Sequence, residues 1–448
     1  MASFEDFGLV KQLGYALDDL GFSQPTPIQE QAFSPIRSGQ DVVGIAQTGT
    51  GKTLAYMLPL LQDLKFSKQL NPRILILVPT RELVLQVVKQ IESYTAYQNV
   101  RIQGVYGGTN INTQKASLAQ GCDIVVGTPG RLYDLALSRA LALKSIKKVV
   151  IDEVDVMLDL GFRFQLVNIF ELLPERRQHI MFSATMTEDV DQLIQDYFIQ
   201  PKQVAIALSG TPLDNIAQSC YKAPNFLSKA SLLAHLLSDR EAFSKVLVFV
   251  PNKRHADRLH GLLEESFGST VDVIHSNKTQ NYRINAIEGF EEGQTRILVS
   301  TDVMARGLDL DSISHVINFD VPKYPENYMH RIGRTGRAEH RGQSILFYTK
   351  KEEDGKNAIE DLMDMQIEEL TWPEEAEITN ELLPEERDTP REHHNPLKRD
   401  EQGGSAFHEK KEKNQKTNQG GKYRREIAKK YKKPKTRGDK NYNKRKRR

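Results

Sequence analysis

The chain has 448 residues, 39% apolar and 27% charged, which fits a globular protein of two or three domains and excludes a fibrous or wholly disordered one. Its longest aliphatic run, ILILV at 74–78, is far too short to cross a bilayer, and the start MASFEDFGLV lacks a basic n-region and an apolar h-region, so a cytoplasmic protein with no membrane attachment is expected. The net charge of +2 conceals a basic end: residues 409–448 hold 19 Lys/Arg against 4 Asp/Glu, leaving −13 for the 408 residues before them.

Residues 40–200 alternate short apolar runs with helical patterns. DVVGIA (41–46), RILILVP (73–79), CDIVVGTP (122–129), KKVVIDE (147–153) and HIMFSAT (179–185) read as buried strands. Between them lie helices such as TLAYMLPLLQDL, in which Leu54, Met57, Leu58 and Leu61 keep helical spacing. Strand–helix alternation predicts a parallel sheet covered on both faces. The pattern weakens over 205–226, then resumes with KVLVFVP (245–251), VDVIHS (271–276), RILVSTD (296–302), HVINFDVP (315–322) and GQSILFY (342–348). The expected organisation is a first α/β domain at 1–208, a linker at 209–226 and a second α/β domain at 227–372. A disordered acidic segment at 373–408 and a disordered basic tail at 409–448 would follow. Cys122 and Cys220 match no metal-ligand spacing and are expected as reduced thiols.

Two stretches carry chemistry on their own. AQTGTGKT (46–53) follows a strand and opens a helix; Ala46 stands where the strict P-loop pattern has its first glycine. Gly49 and Gly51 let backbone N–H groups face phosphate oxygens at a helix N-terminus, with Gln47, Thr48 and Thr50 in the same loop. Lys52 would reach the β- and γ-phosphates and the Thr53 hydroxyl would bind Mg²⁺. VVIDEVDVML (149–158) crowds Asp152, Glu153 and Asp155 at the exit of an apolar run, where like charges repel unless a cation or a task accounts for them. Asp152 suits holding Mg²⁺, and Glu153 suits orienting and deprotonating an attacking water.

DEVD resembles the motif that names the DEAD-box RNA helicases, with Val154 in place of the usual alanine, and the likeness runs motif after motif over residues 3–370. The resemblance implies two tandem RecA-like α/β domains with parallel sheets, ATP and Mg²⁺ as cofactors, and RNA as partner. GFSQPTPIQ (21–29) is similar to the family's adenine-reading motif: Gln29 would pair with adenine N6 and N7, Phe22 would stack on the base, and Phe4 matches the isolated upstream aromatic. SAT (183–185) resembles the coupling motif, so Ser183 and Thr185 would hydrogen-bond the acids, Asp155 in particular. HRIGRTGR (330–337) is similar to the motif with His330 in a coupling role and Arg334 and Arg337 as arginine fingers. STDVMARGLDL (300–310) resembles the preceding motif, with Gly307 and Asp309 near the nucleotide.

The resemblance places RNA phosphates on Arg81 of PTREL, on the amides at Gly107 and Gly108, and on Thr128 and Arg131 of TPGR. Gln280, Arg283 and Thr301 match such positions in the second domain. The tail interleaves Tyr423, Tyr431 and Tyr442 with its charges, a composition suited to auxiliary RNA capture through counterion release and stacking, or to a solubilising or targeting role. The expected activity is an RNA-dependent ATPase that unwinds short duplexes or remodels RNA–protein particles. Its alternatives are a nucleotide-gated RNA clamp with slow turnover and a DNA-directed motor, against which the adenine motif speaks. Short bacterial members often serve ribosome assembly or RNA decay, so proteins of those processes are expected partners of a monomeric chain.

Overall fold

The computed structural model describes residues 3–46, 49–205, 215–302, 312–336 and 342–387. Two sheets organise them. The first contains β1 (Val42–Ile45), β2 (Ile74–Leu77), β3 (Ile102–Val105), β4 (Ile124–Gly127), β5 (Lys148–Ile151), β6 (Gln178–Ser183) and β7 (Lys202–Ala205), in the order β3-β4-β2-β5-β6-β1-β7. The second contains β8 (Ile216–Lys222), β9 (Val246–Val250), β10 (Val271–Ile274), β11 (Ile297–Thr301), β12 (His315–Asn318), β13 (Gly342–Tyr348) and β14 (Glu368–Glu369), in the order β10-β11-β9-β12-β13-β8-β14. Every pairing is parallel, so most consecutive strands are joined by helical crossovers that cover the faces. This is the α/β architecture of two tandem RecA-like domains that the resemblance implies.

The central strands are buried on both faces, which is why their sequences are continuous Val/Ile/Leu runs: Ile74–Leu77 and Val246–Val250 have no exposed residue. The helix Lys52–Gln62 lies in the heart of the first domain, with all but two of its residues buried, and packs against the helix Pro27–Ser38. Among the described residues no helix is long and apolar enough to cross a membrane.

Two expectations are corrected. Strand β8 lies inside the segment read as a linker; IAQSCYK places Gln218 and Ser219 among its apolar residues, which masks the strand pattern. The acidic segment read as disordered from 373 is ordered through residue 387. There Ala376 and Leu383 are buried against the second sheet's core, Trp372 Nε1 donates to the Ala376 carbonyl (2.9 Å), and Asn225 Nδ2 to that of Thr379 (2.6 Å). A few apolar anchors hold a segment whose average composition is acidic.

Lys229 is the second domain's buried charge centre. It is 1% exposed, and its Nζ donates to Asp320 Oδ1 (2.7 Å) and Glu352 Oε2 (2.8 Å). Burial works against its charge, and the two carboxylates outweigh it, raising its pKa. Lys229→Ala is expected to lower unfolding free energy by about 3–5 kcal/mol, because two carboxylates lose their counter-ion in a dry site. Urea titration of the variant checks this; a loss below about 1 kcal/mol, the scale of exposed pairs, would mean that water already solvates the acids.

Candidate active site

Strand order divides the carboxyl edge of each sheet into two halves. In the first, the residues following β1, β5 and β6 are the P-loop, the acids and SAT, while Arg81, Gly107-Gly108 and Thr128 follow β2, β3 and β4. In the second, Gln280 and Arg283 come after β10 and Thr301 ends β11, whereas His330 and Arg334 come after β12. Each sheet therefore has two halves at the edge where α/β folds bind ligands, one carrying the residues expected at the nucleotide and the other those expected at RNA.

On the nucleotide half, Gly51 takes φ +83° and opens the helix Lys52–Gln62 with no side-chain cap on the helix amides. A Cβ on Gly51 would collide with Gln29 Nε2, so glycine is required for both backbone and space. Gly49 also has positive φ, +82°. Ala46 is buried and its amide donates to the Ser183 carbonyl (3.0 Å), joining loop to SAT. Lys52 is 7% exposed, and its Nζ is buried without a hydrogen-bond partner. Thr53 follows on the helix's first turn.

Gln29 accepts from the Thr26 amide at Oε1 (2.9 Å) and donates from Nε2 to the Gly51 carbonyl (3.2 Å). Thr26 Oγ1 donates to the Thr50 carbonyl (2.9 Å), so the adenine motif is fastened to the P-loop. An amide oxygen keeps a second lone pair and the nitrogen a second proton, enough for an adenine edge. Phe22 is 41% exposed and open to stacking. Phe4 is not: it is 8% exposed, packs edge-on to Phe7 (5.7 Å) and belongs to the core, since an apolar ring beside Phe7 and Phe33 is better buried than solvated.

Asp152, Glu153 and Asp155 are 4%, 7% and 4% exposed. Asp152 accepts from Tyr56 Oη (3.1 Å) at Oδ2 and from the Glu153 amide (3.0 Å) at Oδ1. Burial pushes its pKa up to about 6, against the opposing pull of Lys52. Glu153 sits at φ 53°, ψ 50°, a left-handed conformation uncommon outside glycine, as the N-cap of the helix Val154–Asp159. Its Oε2 is buried without a partner.

Asp155 Oδ2 accepts from the amide and the hydroxyl of Thr185 (3.1 and 3.0 Å) and faces His330 Nε2 of the second domain at 3.5 Å. That last contact is a close approach without hydrogen-bond geometry. Burial would raise the Asp155 pKa; His330, Lys52 and Thr185 outweigh it and hold the carboxyl well below the usual range. Ser183 does not join the acids. Its Oγ donates to the Thr185 carbonyl (2.7 Å), bracing the SAT turn, because its side chain points along its own chain. Arg334 is 3% exposed and its Nε donates to the His330 carbonyl (3.2 Å). Lys52, Glu153, Asp155, Val156, Ala184, His330 and Arg334 line a cavity of about 10 Å³ between the sheets.

On the RNA half, the Arg81 guanidinium lies over Gly107 and Gly108, where a Cβ on Gly108 (φ +79°) would strike it. Arg131 donates to Gln114 Oε1 and the Thr109 carbonyl (both 2.9 Å), and Thr128 is buried at the N-terminus of the helix Pro129–Leu137. Gln280 and Arg283, read as phosphate contacts, are instead joined to the first domain. Gln280 Nε2 donates to Glu82 Oε1 (3.1 Å), Arg81 Nη1 to Gln280 Oε1 (3.4 Å), and Arg283 Nη1 pairs with Glu82 Oε1 (3.1 Å). Arg283 is 4% exposed, and a buried guanidinium needs a carboxylate. Glu82 was missed as a site residue; the signal was an acid inside the otherwise phosphate-seeking PTREL. Thr301 is half-buried at the end of β11. Gln47, Thr48, Gly307, Asp309, Arg337 and the tail 409–448 lie outside the described residues.

Comparison with known proteins agrees with this geometry. Residues 26–193 match the family model of the DEAD/DEAH box helicase and residues 228–339 that of the helicase conserved C-terminal domain. The chain is 38% identical to the ATP-dependent RNA helicase DeaD of Buchnera aphidicola over 85% of its own length and 63% of the relative's. It is also 38% identical to the ATP-dependent RNA helicase RhlB of Pseudomonas syringae, over 83% of its length and 95% of the relative's. Among solved structures it resembles S. cerevisiae Dbp5 bound to RNA and ADP BeF3, with TM-score 0.76 and 28% identity over 83% of this chain and 96% of that one. It is similar as well to Mss116p bound to ssRNA and AMP-PNP, with TM-score 0.75 and 29% identity over 83% of this chain and 79% of that one.

Proposed function

The chain belongs to the DEAD/DEAH box helicase family, and from that membership we propose an ATP-dependent RNA helicase that couples Mg·ATP hydrolysis to RNA binding and to local duplex unwinding or RNP remodelling. The observation that carries this reading is the cavity in which Lys52, Glu153 and Asp155 of the first domain meet His330 and Arg334 of the second. A hydrolytic site divided between two domains works only when they close.

Lys52 neutralises β/γ-phosphate oxygens, and Gly49 and Gly51 free the loop's amides to face them. Glu153 orients the attacking water and takes its proton, while Arg334 stabilises charge that develops on the transferring phosphoryl group. Thr53 and Asp152 would hold Mg²⁺, which when bound with the nucleotide supplies positive charge between the phosphates. The residues fit that ion. No described group of three or more His, Cys, Asp or Glu forms a complete cage, and Mg²⁺ takes one or two carboxylates together with phosphate oxygens. Asp155, held by Thr185 and facing His330, would transmit the state of the nucleotide site to the second domain.

Closure is completed on the other half by Glu82, Gln280 and Arg283, beside the Arg81, Gly107-Gly108 and Arg131 positions assigned to RNA phosphates. Contacts of this kind give little base specificity. The basic tail is an auxiliary RNA contact on the strength of its charge, and ribosome assembly or RNA decay in the cytoplasm is the setting proposed for the activity.

Steady-state ATP hydrolysis with single-stranded RNA, single-stranded DNA or neither tests the reading. Strong stimulation by RNA alone is the expected result. Equal stimulation by DNA would sink the RNA assignment. Slow turnover alongside a long-lived ATP-dependent RNA complex would select the clamp over the helicase.

A further inference from the structure

Tyr56 takes no part in the roles assigned above, yet it touches Asp152, one of the two residues assigned to the metal. Among the described residues it is one of the two largest fully buried side chains, at 0% exposure. Its ring packs against Phe182 of β6, with centroids 5.6 Å apart. Tyr56 stands four residues after Lys52 and three after Thr53, so all three share a face of the helix that the P-loop opens. That face aims the phenol at the exit of β5, where Tyr56 Oη donates to Asp152 Oδ2 at 3.1 Å.

We propose that Tyr56 is a positioning residue for the metal–nucleotide complex: its buried hydroxyl fixes the orientation of the Asp152 carboxylate. The inference rests on the reading of Asp152 as a Mg²⁺ holder.

A phenylalanine would satisfy every packing requirement here, since the surroundings of the ring are apolar. The hydroxyl adds one donor in a dry site, and a buried donor needs an acceptor. An ionised carboxylate accepts only, with about two lone pairs on each oxygen. At Asp152 the phenol occupies one position on Oδ2 and the Glu153 amide one on Oδ1, which stops the carboxylate rotating and leaves one position on each oxygen for the metal or its water. Outer partners of this type orient ligands, and their loss typically costs about 10–100-fold in metal affinity or activity.

The test is Tyr56→Phe, which removes one oxygen and keeps the ring. Binding of fluorescently labelled ADP is followed by equilibrium titration, first in EDTA and then against rising Mg²⁺. The expected result is a half-saturating Mg²⁺ concentration raised about tenfold or more, with metal-free ADP affinity unchanged and full binding restored by excess Mg²⁺. Weaker metal-free binding with an unaltered Mg²⁺ dependence would overturn the proposal and leave Tyr56 a packing residue.

Asp152→Asn provides the second arm. Alone it should raise the Mg²⁺ requirement; if it does not, the metal reading of Asp152 is wrong, independently of Tyr56. In that background Tyr56→Phe should shift the Mg²⁺ requirement no further, because the carboxylate it orients is gone. A full additional shift there would also overturn the proposal. The double variant serves equally should Tyr56→Phe, judged by its melting curve, prove too unstable beside an unpaired charge.

Discussion

Glu153→Gln is expected to hydrolyse ATP at least about 100-fold more slowly than the parent chain at saturating RNA, with affinity for ATP and for RNA retained. The substitution keeps the size and removes the basicity. Glu153 is 7% exposed, and its Oε2 has no hydrogen-bond partner although it is buried. A carboxylate oxygen in that condition is destabilised unless a donor arrives, and an attacking water is such a donor. The left-handed backbone at φ 53° turns the residue off the end of β5 and begins the next helix, which sets Glu153 against the cavity shared with Arg334. Because the proton moves only in the transition state, kcat should fall while nucleotide binding does not. Single-turnover hydrolysis separates the two. A rate within about fivefold of the parent, far less than general-base catalysis supplies, would assign the base elsewhere.

What the sequence revealed and what it hid follow one physical rule. Interior strands covered on both faces had to be continuous runs, so β1, β2, β4, β5, β6, β9, β11, β12 and β13 were legible; the edge strand β10 was legible as well because VDVI keeps three apolar residues. Strands near sheet edges carry polar residues. IQGV at β3, KQVA at β7 and IAQSCYK at β8 lack the apolar run, and β14 is two exposed glutamates. The site was legible wherever chemistry demands a residue at a fixed spacing from its neighbours, as in GKT and DEVD. It was hidden where a partner comes from far along the chain. Nothing local in PTREL says that Glu82 will meet Arg283, about 200 residues away, and no spacing rule shows that Tyr56 will reach Asp152. Phe4 shows the same limit: an isolated aromatic in the sequence gives no sign that Phe7, itself stacked on Phe33, will pack against it.

Arg334→Ala is expected to reduce RNA-stimulated kcat by about 10³-fold, and Arg334→Lys to recover little of that loss. The guanidinium is brought to the site by the helix Pro325–Ile332, which ends just before it, and its Nε is fixed on the His330 carbonyl at 3.2 Å. At 3% exposure and beside Lys52 and Glu153, it acts in a poorly solvated pocket, where a fixed cation stabilises developing charge far better than it would in water. Lysine offers a point charge on a flexible stem and cannot keep both the carbonyl anchor and the phosphate. The residue lies across the cleft from the P-loop, so RNA binding without nucleotide should be untouched, and kcat/KM should fall further than kcat because closure is weakened along with chemistry. Comparing Arg334→Ala with Glu153→Gln then separates two ways of failing. Glu153→Gln should still close on ATP and RNA and hold them, whereas Arg334→Ala should weaken closure as well as chemistry. A nucleotide-dependent RNA complex as long-lived in Arg334→Ala as in Glu153→Gln would show that Arg334 serves the transition state alone and that the His330–Asp155 contact is enough to hold the domains together.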